Sequence, residues 1–157
     1  MAKDSLVAYI PARSGSKRIL GKNIKLLNGH PLMAYSINAC VKSKIFKKIY
    51  CITDNPLYAE IAIHYGAEVP RLRPKEISGD TSTDYEWLSW ISSILESKGE
   101  IYDYFGIIRP TNPIRNFSTI RRAWNLFKSN KKADSLRAVQ LCSEHPAKMW
   151  RIRGKYM

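Results

Sequence analysis

Four cations, Arg13, Lys17, Arg18 and Lys22, stand among Ser14, Gly15, Ser16 and Gly21 directly after the apolar run Leu6-Val7-Ala8-Tyr9-Ile10. Small residues let main-chain N–H groups approach a ligand closely, and the cations offset negative charge. The chemistry this pattern suits is polyphosphate binding. Cations so close together repel one another unless an anion sits among them. That repulsion favours a binding loop over a solvated basic surface loop. The loop contains neither G-x-x-x-x-G-K-[ST] nor G-x-G-x-x-G, so it is neither a Walker A loop nor the dinucleotide fingerprint.

Two further segments concentrate polar groups. Arg71, Arg73 and Lys75 precede Ser78-Gly79-Asp80-Thr81-Ser82-Thr83. Later, Arg109-Pro110-Thr111-Asn112-Pro113-Ile114-Arg115 combines two stiffening prolines with hydrogen-bonding side chains. Each has a purely architectural alternative. Asp80, Thr81 and Thr83 suit a capped helix start, and Asn112 or Asn116 suits a helix cap after a rigid turn. Asp54, in Thr53-Asp54-Asn55, reads as the N-cap of the helix that follows.

The elements that must position these residues alternate. Residues 6–10 read as a buried parallel strand. A helix follows Gly29, with Pro31 in its first turn and Met33, Ile37, Cys40 and Val41 on one face. Residues 48–53 form a strand, and 56–65 a helix closed by Gly66. Residues 68–71 are short and extended. Thr83 and Glu86 make a capping box ahead of Trp87, Leu88, Ile91 and Leu95. A strand at 104–108, a helix at 118–129 and a final strand at 135–142 complete the pattern. Alternation of this kind predicts an α/β fold, a mostly parallel sheet with helices on both faces. The first three strands should lie in order on one side, with 104–108 returning beside the first. That creates a switch point, and the loops after 6–10 and 104–108 flank its crevice.

The chain has 157 residues, enough for one domain spanning 1–157, and a net charge of +13. Such charge attracts anions, but the basic residues are scattered and no RNA-binding aromatic signature or zinc finger occurs, which argues against nucleic acid as the partner. No apolar run approaches the ~18 residues of a membrane span. Cys40, Cys51 and Cys142 have no metal-ligand spacing and read as buried thiols in a reducing cytoplasm. His64 reads as structural.

The run Ile10-Pro11-Ala12-Arg13-Ser14-Gly15-Ser16-Lys17-Arg18 with Gly21-Lys22-Asn23 resembles the signature of the nonulosonate cytidylyltransferases, the CMP-sialic acid synthetases and their legionaminate and pseudaminate relatives. Leu20 departs from the proline many relatives carry. The resemblance implies a Rossmann-like, GT-A-like nucleotidyltransferase fold. It also implies transfer of CMP from CTP to a nonulosonic acid, with release of pyrophosphate. Carried over by motif, Arg13 and Lys22 are the catalytic residues. Ala12, Arg13, Ser14, Gly15, Ser16, Lys17, Lys22 and Asn23 line the nucleotide, with Arg73 near the cytosine or ribose and Ser82 near the base. Arg109, Thr111, Asn112 and Arg115 hold the sugar, where relatives commonly have glutamine in place of Arg109. His145-Pro146 resembles a dipeptide at which the family chain leaves the sheet.

The same resemblance implies Mg²⁺ as cofactor and a homodimer. In the family the metal is held by a later D-x-D pair, and a later arm makes the dimer. No D-x-D occurs in these 157 residues. The expectation is therefore a chain truncated relative to the family, lacking its usual C-terminal part and its protein metal ligands. Nucleotide binding should survive with impaired synthesis, and dimerisation is in doubt. Two alternatives remain open, a ketodeoxyoctonate cytidylyltransferase and a non-catalytic nucleotide-binding domain.

Overall fold

A computed structural model describes residues 4–141. Its centre is β1 (Leu6–Pro11), flanked in parallel by β4 (Lys48–Ile52) and β5 (Tyr104–Ile107). Beyond β4, Glu68 forms a single parallel bridge to Tyr50 and exchanges backbone hydrogen bonds with Ile49 and Cys51. The spatial order is thus the extended 68 region, β4, β1 and β5, with the predicted switch between β1 and β5.

β1 is apolar at every position because both of its faces are covered. Ala8, Ile10 and Ala12 point into a core with α1 (Leu32–Ser43), α2 (Pro56–His64) and Ile120 of α4 (Phe117–Ser129). Val7 and Tyr9 point the other way, onto Trp87, Ile91 and Leu95 of α3 (Asp84–Ser97). The helix starts follow local chemistry. Thr83 and Glu86 form the expected capping box on α3. Asn116 caps α4 through its Oδ1. At the end of α2, Gly66 sits at φ 96°, a left-handed conformation that glycine reaches without strain.

Two expectations need correction, and one element is additional. Residues 135–141 form no strand. Leu136, Val139 and Leu141 are 41%, 52% and 99% exposed, since alternating apolar residues gain nothing as a strand without a ladder to join; Cys142, His145 and Pro146 lie outside the described residues. Val41 is 45% exposed while Met33, Ile37 and Cys40 are fully buried, because the buried face of α1 does not extend to it. A short hairpin, β2 (Leu26–Leu27) and β3 (His30–Pro31), precedes α1. Asn28 and Gly29 turn it with φ of 47° and 80°, the Asn-Gly pairing that suits two-residue hairpins.

The burial pattern of α1 separates two substitutions. Ile37→Ala should cost about 2–5 kcal/mol of stability, and Val41→Ala about 0.5 kcal/mol or less. Urea unfolding of both variants checks this; equal losses would contradict the packing of α1.

Candidate functional site

The site begins where β1 leaves the core. Ala12 is fully buried and its N–H donates to Ile52 O at 2.9 Å, so it belongs to the sheet. Its neighbours are pinned from two sides. Ser14 donates both its N–H and its Oγ–H to the Asp54 carboxylate, each at 2.7 Å. Asn23, 5% exposed, donates Nδ2–H to Arg13 O at 3.0 Å. Gly21, at φ 61°, lets the chain turn into the 3₁₀ segment Lys22–Ile24 that carries Asn23 back beneath Arg13.

Asp54 does not cap α2 as expected. Asn55 does, accepting from Tyr58 N–H at 3.3 Å. The reason is geometric: Asp54 lies two residues beyond the end of β4, within reach of Ser14, while the next residue faces the first turn of α2. Asp54 therefore couples two loops at the carboxyl edge of the sheet.

With its backbone held, the loop presents its cationic head groups. Arg13 donates through Nη1 to Ser78 O at 3.3 Å and to Gly79 O, and through Nη2 to Asp80 Oδ1 at 2.9 Å. Lys17 Nζ pairs with Asp80 Oδ2 at 2.5 Å. The hydrogen bond from Lys17 comes first among the effects that hold the Asp80 carboxyl below the usual carboxylate range; the charge of Lys17 and the Arg13 guanidinium add to it. Lys22 lies half-buried at the start of its 3₁₀ segment. Gly15 and Lys17 are exposed and Ser16 is half-buried, its N–H donating to Ser14 O at 2.8 Å. A Cβ on Gly15 would meet nothing within 4 Å, so no contact within the chain explains a glycine there.

Arg73 is 5% exposed and commits Nε and Nη2 to Ile77 O, the Nε bond at 2.8 Å. Its guanidinium carbon lies 6.0 Å from the Trp87 ring centre. Burial lowers its pKa. Arg73 thus shapes the 3₁₀ segment Lys75–Ile77 from below. Ser78 Oγ–H donates to Pro74 O at 2.7 Å, and Ser82 N–H closes a turn onto Gly79 O at 3.3 Å.

The 109–115 loop follows β5. Arg109 pairs through Nη2 with Asp84 Oδ2, while Asp84 Oδ1 accepts from Trp87 Nε1 at 2.9 Å. Arg109 O accepts from Ser36 Oγ at 3.2 Å and from Arg115 Nη1 at 3.4 Å. Thr111 and Asn112 are exposed. The structure therefore brings the basic loop against residues 78–80, and ties the start of α3 to the 109–115 loop. The acidic pair Asp80 and Asp84 forms the link between the two basic loops. Sequence reasoning passed over Asp84, whose signal was its place in the first turn of a capped helix.

The family model described as "Cytidylyltransferase" matches residues 7–144. The N-acylneuraminate cytidylyltransferase of Escherichia coli is 36% identical over 130 residues, 83% of this chain and 30% of that protein. The CMP-N,N'-diacetyllegionaminic acid synthase of Legionella pneumophila is 37% identical over 128 residues, 82% of this chain and 55% of that protein. A pseudaminic acid cytidylyltransferase of Campylobacter jejuni is 38% identical over 125 residues, 80% of this chain and 54% of that protein. The chain spans about half or less of the length of these relatives. Among solved structures, a CMP:2-keto-3-deoxy-manno-octonic acid synthetase complexed with CTP superposes with a TM-score of 0.64 at 16% identity, covering 82% of this chain and 49% of that one. A cytidylyltransferase from Leptospira borgpetersenii gives 0.63, also at 16%.

The separate duties of Asp54 and Asn55 are testable by amide hydrogen exchange. Asp54→Ala should speed exchange at Ser14 about tenfold or more, since it removes a charged acceptor, and leave Tyr58 protected. Asn55→Ala should expose Tyr58 and cost about 1 kcal/mol of stability, leaving Ser14 protected.

Proposed function

The chain belongs to the cytidylyltransferase family, and from that premise we propose that it binds CTP at the carboxyl end of β1 and transfers CMP to a nonulosonic acid, releasing pyrophosphate. One observation carries the reading. The backbone of the basic loop is fixed by Asp54 and Asn23, while Arg13 and Lys17 place their charges together outside it. Anchored backbone with clustered cations suits a triphosphate, whose reaction depends on positioning and charge neutralisation more than on covalent chemistry.

The sugar's anomeric hydroxyl would attack the α-phosphorus as the bond to the bridging oxygen breaks. Pyrophosphate leaves with the electron pair, and the hydroxyl proton passes to solvent. Arg13, Lys17 and Lys22 would neutralise the phosphates, with Lys22 and Arg13 nearest the reacting group. Ser14, Gly15 and Ser16 would approach the phosphate chain with their main chain, and the open space beside Gly15 supports this. Ala12, Asn23 and Arg73 would act by holding these groups, since their hydrogen bonds are spent on Ile52, Arg13 and Ile77. Ser82 lies two residues beyond the Ser78–Asp80 stretch that Arg13 holds, and would approach the base of a nucleotide whose phosphates lie on the loop. Arg109, Thr111, Asn112 and Arg115 would face the acceptor across the switch-point crevice.

The acceptor is proposed as a class. The relatives at 36%, 37% and 38% identity are named for three different nonulosonic acids, so likeness does not choose among them. The octonic acid synthetase is alike in fold alone at 16% identity, which places ketodeoxyoctonate second.

Mg²⁺ would arrive with the nucleotide, held by phosphate oxygens and water. The crevice carboxylates are engaged: Asp54 by Ser14, Asp80 by Arg13 and Lys17, Asp84 by Arg109 and Trp87. Among the described residues no cluster of three or more His, Cys, Asp or Glu could hold a metal. A cytoplasmic location fits Cys40 and Cys51, which are free and buried. Burial pushes both thiols up to about 12. No helix among the described residues is long and apolar enough to cross a membrane.

Calorimetry should show CTP binding that weakens as salt rises, with UTP and ATP bound less well. Arg13→Ala should lose about ten- to a hundredfold in affinity, the scale of hydrogen bonds to a charged group. Pyrophosphate release in the presence of N-acetylneuraminate, a legionaminic acid or a pseudaminic acid tests transfer. CTP binding without release from any of them would favour a non-catalytic nucleotide binder.

A further inference from the structure

Asp80 occupies the position that an anionic ligand would take. Its two carboxylate oxygens are divided between the cations of the basic loop, Oδ1 on Arg13 at 2.9 Å and Oδ2 on Lys17 at 2.5 Å. The pairing is exposed: the side chains of Arg13, Lys17 and Asp80 are 32%, 83% and 36% accessible. Ion pairs of this kind are weak and exchangeable. Residues on either side of Asp80 are secured. Ser78 is buried with its hydroxyl on Pro74 O, and Thr83 is locked to Glu86 by the capping box. Between these anchors the 79–82 backbone is spanned by the long Ser82–Gly79 bond of 3.3 Å. Gly79, Asp80 and Thr81 are exposed.

We propose that Asp80 is an internal counter-anion, a placeholder that a polyphosphate displaces from Arg13 and Lys17, so that ligand binding releases the 79–82 segment and moves Ser82. The inference rests on the reading of the basic loop as a polyphosphate site. A phosphate chain brought onto Arg13 and Lys17 with Asp80 in place would put like charges side by side. Exchange removes that repulsion and leaves the cations neutralised throughout. Before binding, Asp80 relieves the mutual repulsion of the loop's cations. After binding, the phosphates do. Because Arg13 also holds Ser78 O and Gly79 O, the exchange acts on the segment that carries Ser82. Occupation of the phosphate site would thereby adjust the residues proposed to face the base. A nucleoside monophosphate, lacking the β- and γ-phosphates, would leave the placeholder seated.

The test measures affinity for tripolyphosphate, CTP and CMP at low salt, for wild type, Asp80→Asn, Asp80→Ala and the control Glu76→Gln. Glu76 is an exposed carboxylate on the same stretch of chain, and its removal reports the general gain from lowering negative charge. Both Asp80 variants should bind tripolyphosphate and CTP about two- to fivefold more tightly, with CMP and the Glu76→Gln variant unchanged. In wild type, tripolyphosphate should shift the Gly79–Ser82 amide resonances. Unchanged or weaker tripolyphosphate binding by the Asp80 variants, an equal gain from Glu76→Gln, or no binding by any variant would overturn the proposal. The outcomes separate it from the functional reading. If CTP binds to wild type but Asp80→Asn gains nothing, the placeholder fails and the CTP site stands. If tripolyphosphate binds more tightly to Asp80→Asn while CTP is no better than UTP or ATP, the placeholder stands and the cytidine reading fails.

Discussion

The structure depends on the complete burial of one strand. β1 is covered on both faces by helices and on both edges by parallel strands, and residues 6–10 are at most 5% exposed. Such a strand disfavours polar side chains, because an unpaired polar group in that position would carry a cost of about 1–3 kcal/mol; its one polar side-chain group, the Tyr9 hydroxyl, is partnered by Ser92. Chemistry is therefore displaced to its ends. At the carboxyl end the backbone leaves the ladder at Ala12, and the next residues are the first free to address something outside the protein. The glycines, serines and cations gather there for that reason.

The two ends of the sheet are treated differently. At the amino end polar groups satisfy each other. Ser5 donates its N–H and Oγ–H to Asp103 at 2.7 Å, and Asp103 N–H returns a bond to Ser5 Oγ at 2.9 Å. The Ser5 N–H, followed by its hydroxyl, holds the Asp103 carboxyl below its ordinary range. Nearby, the Tyr50 and Tyr102 hydroxyls do the same for Glu100. The Ser5–Asp103 contacts fasten the start of β1 to the residue that precedes β5. At the carboxyl end the neutral backbone is fastened, by Asp54 and Asn23, while the charged heads rest on exposed partners. Rigid support beneath exchangeable charges is the arrangement a phosphate site requires, since positioning then costs little on binding.

The linking role of the 78–84 region follows from the same sheet order. The chain crosses from the β4 side to the β5 side through α3, so the segment leading into α3 must pass over the carboxyl edge. Asp80 and Asp84 lie on that passage, one facing the basic loop and the other Arg109. The chain has 13 Asp and Glu residues against 26 Lys and Arg, and three of those carboxylates, Asp54, Asp80 and Asp84, stand at this crevice.

The alternation of elements as far as α4, the parallel order around β1 and the basic loop are legible in the sequence alone. These are encoded locally: an apolar run too continuous for a one-sided strand, capping residues three positions apart, and small residues mixed with cations. Asn28-Gly29 is equally legible as a hairpin turn. Which side chains serve the loop and which serve the fold depends on contacts between distant parts of the chain. Asp54 and Asn55 are both sound helix caps by residue type, and the choice between them depends on the distance from the end of β4 to Ser14, a contact across 40 positions. Arg73 and Asn23 are polar residues within binding-type motifs, yet both are buried with their donors on backbone carbonyls, because the loops above them need support from within. The anion that the loop's mutual repulsion calls for was deducible from the sequence. That Asp80 supplies it, 67 residues from Arg13, was not, since electrostatic partners are chosen by proximity in space and leave no periodic trace along the chain.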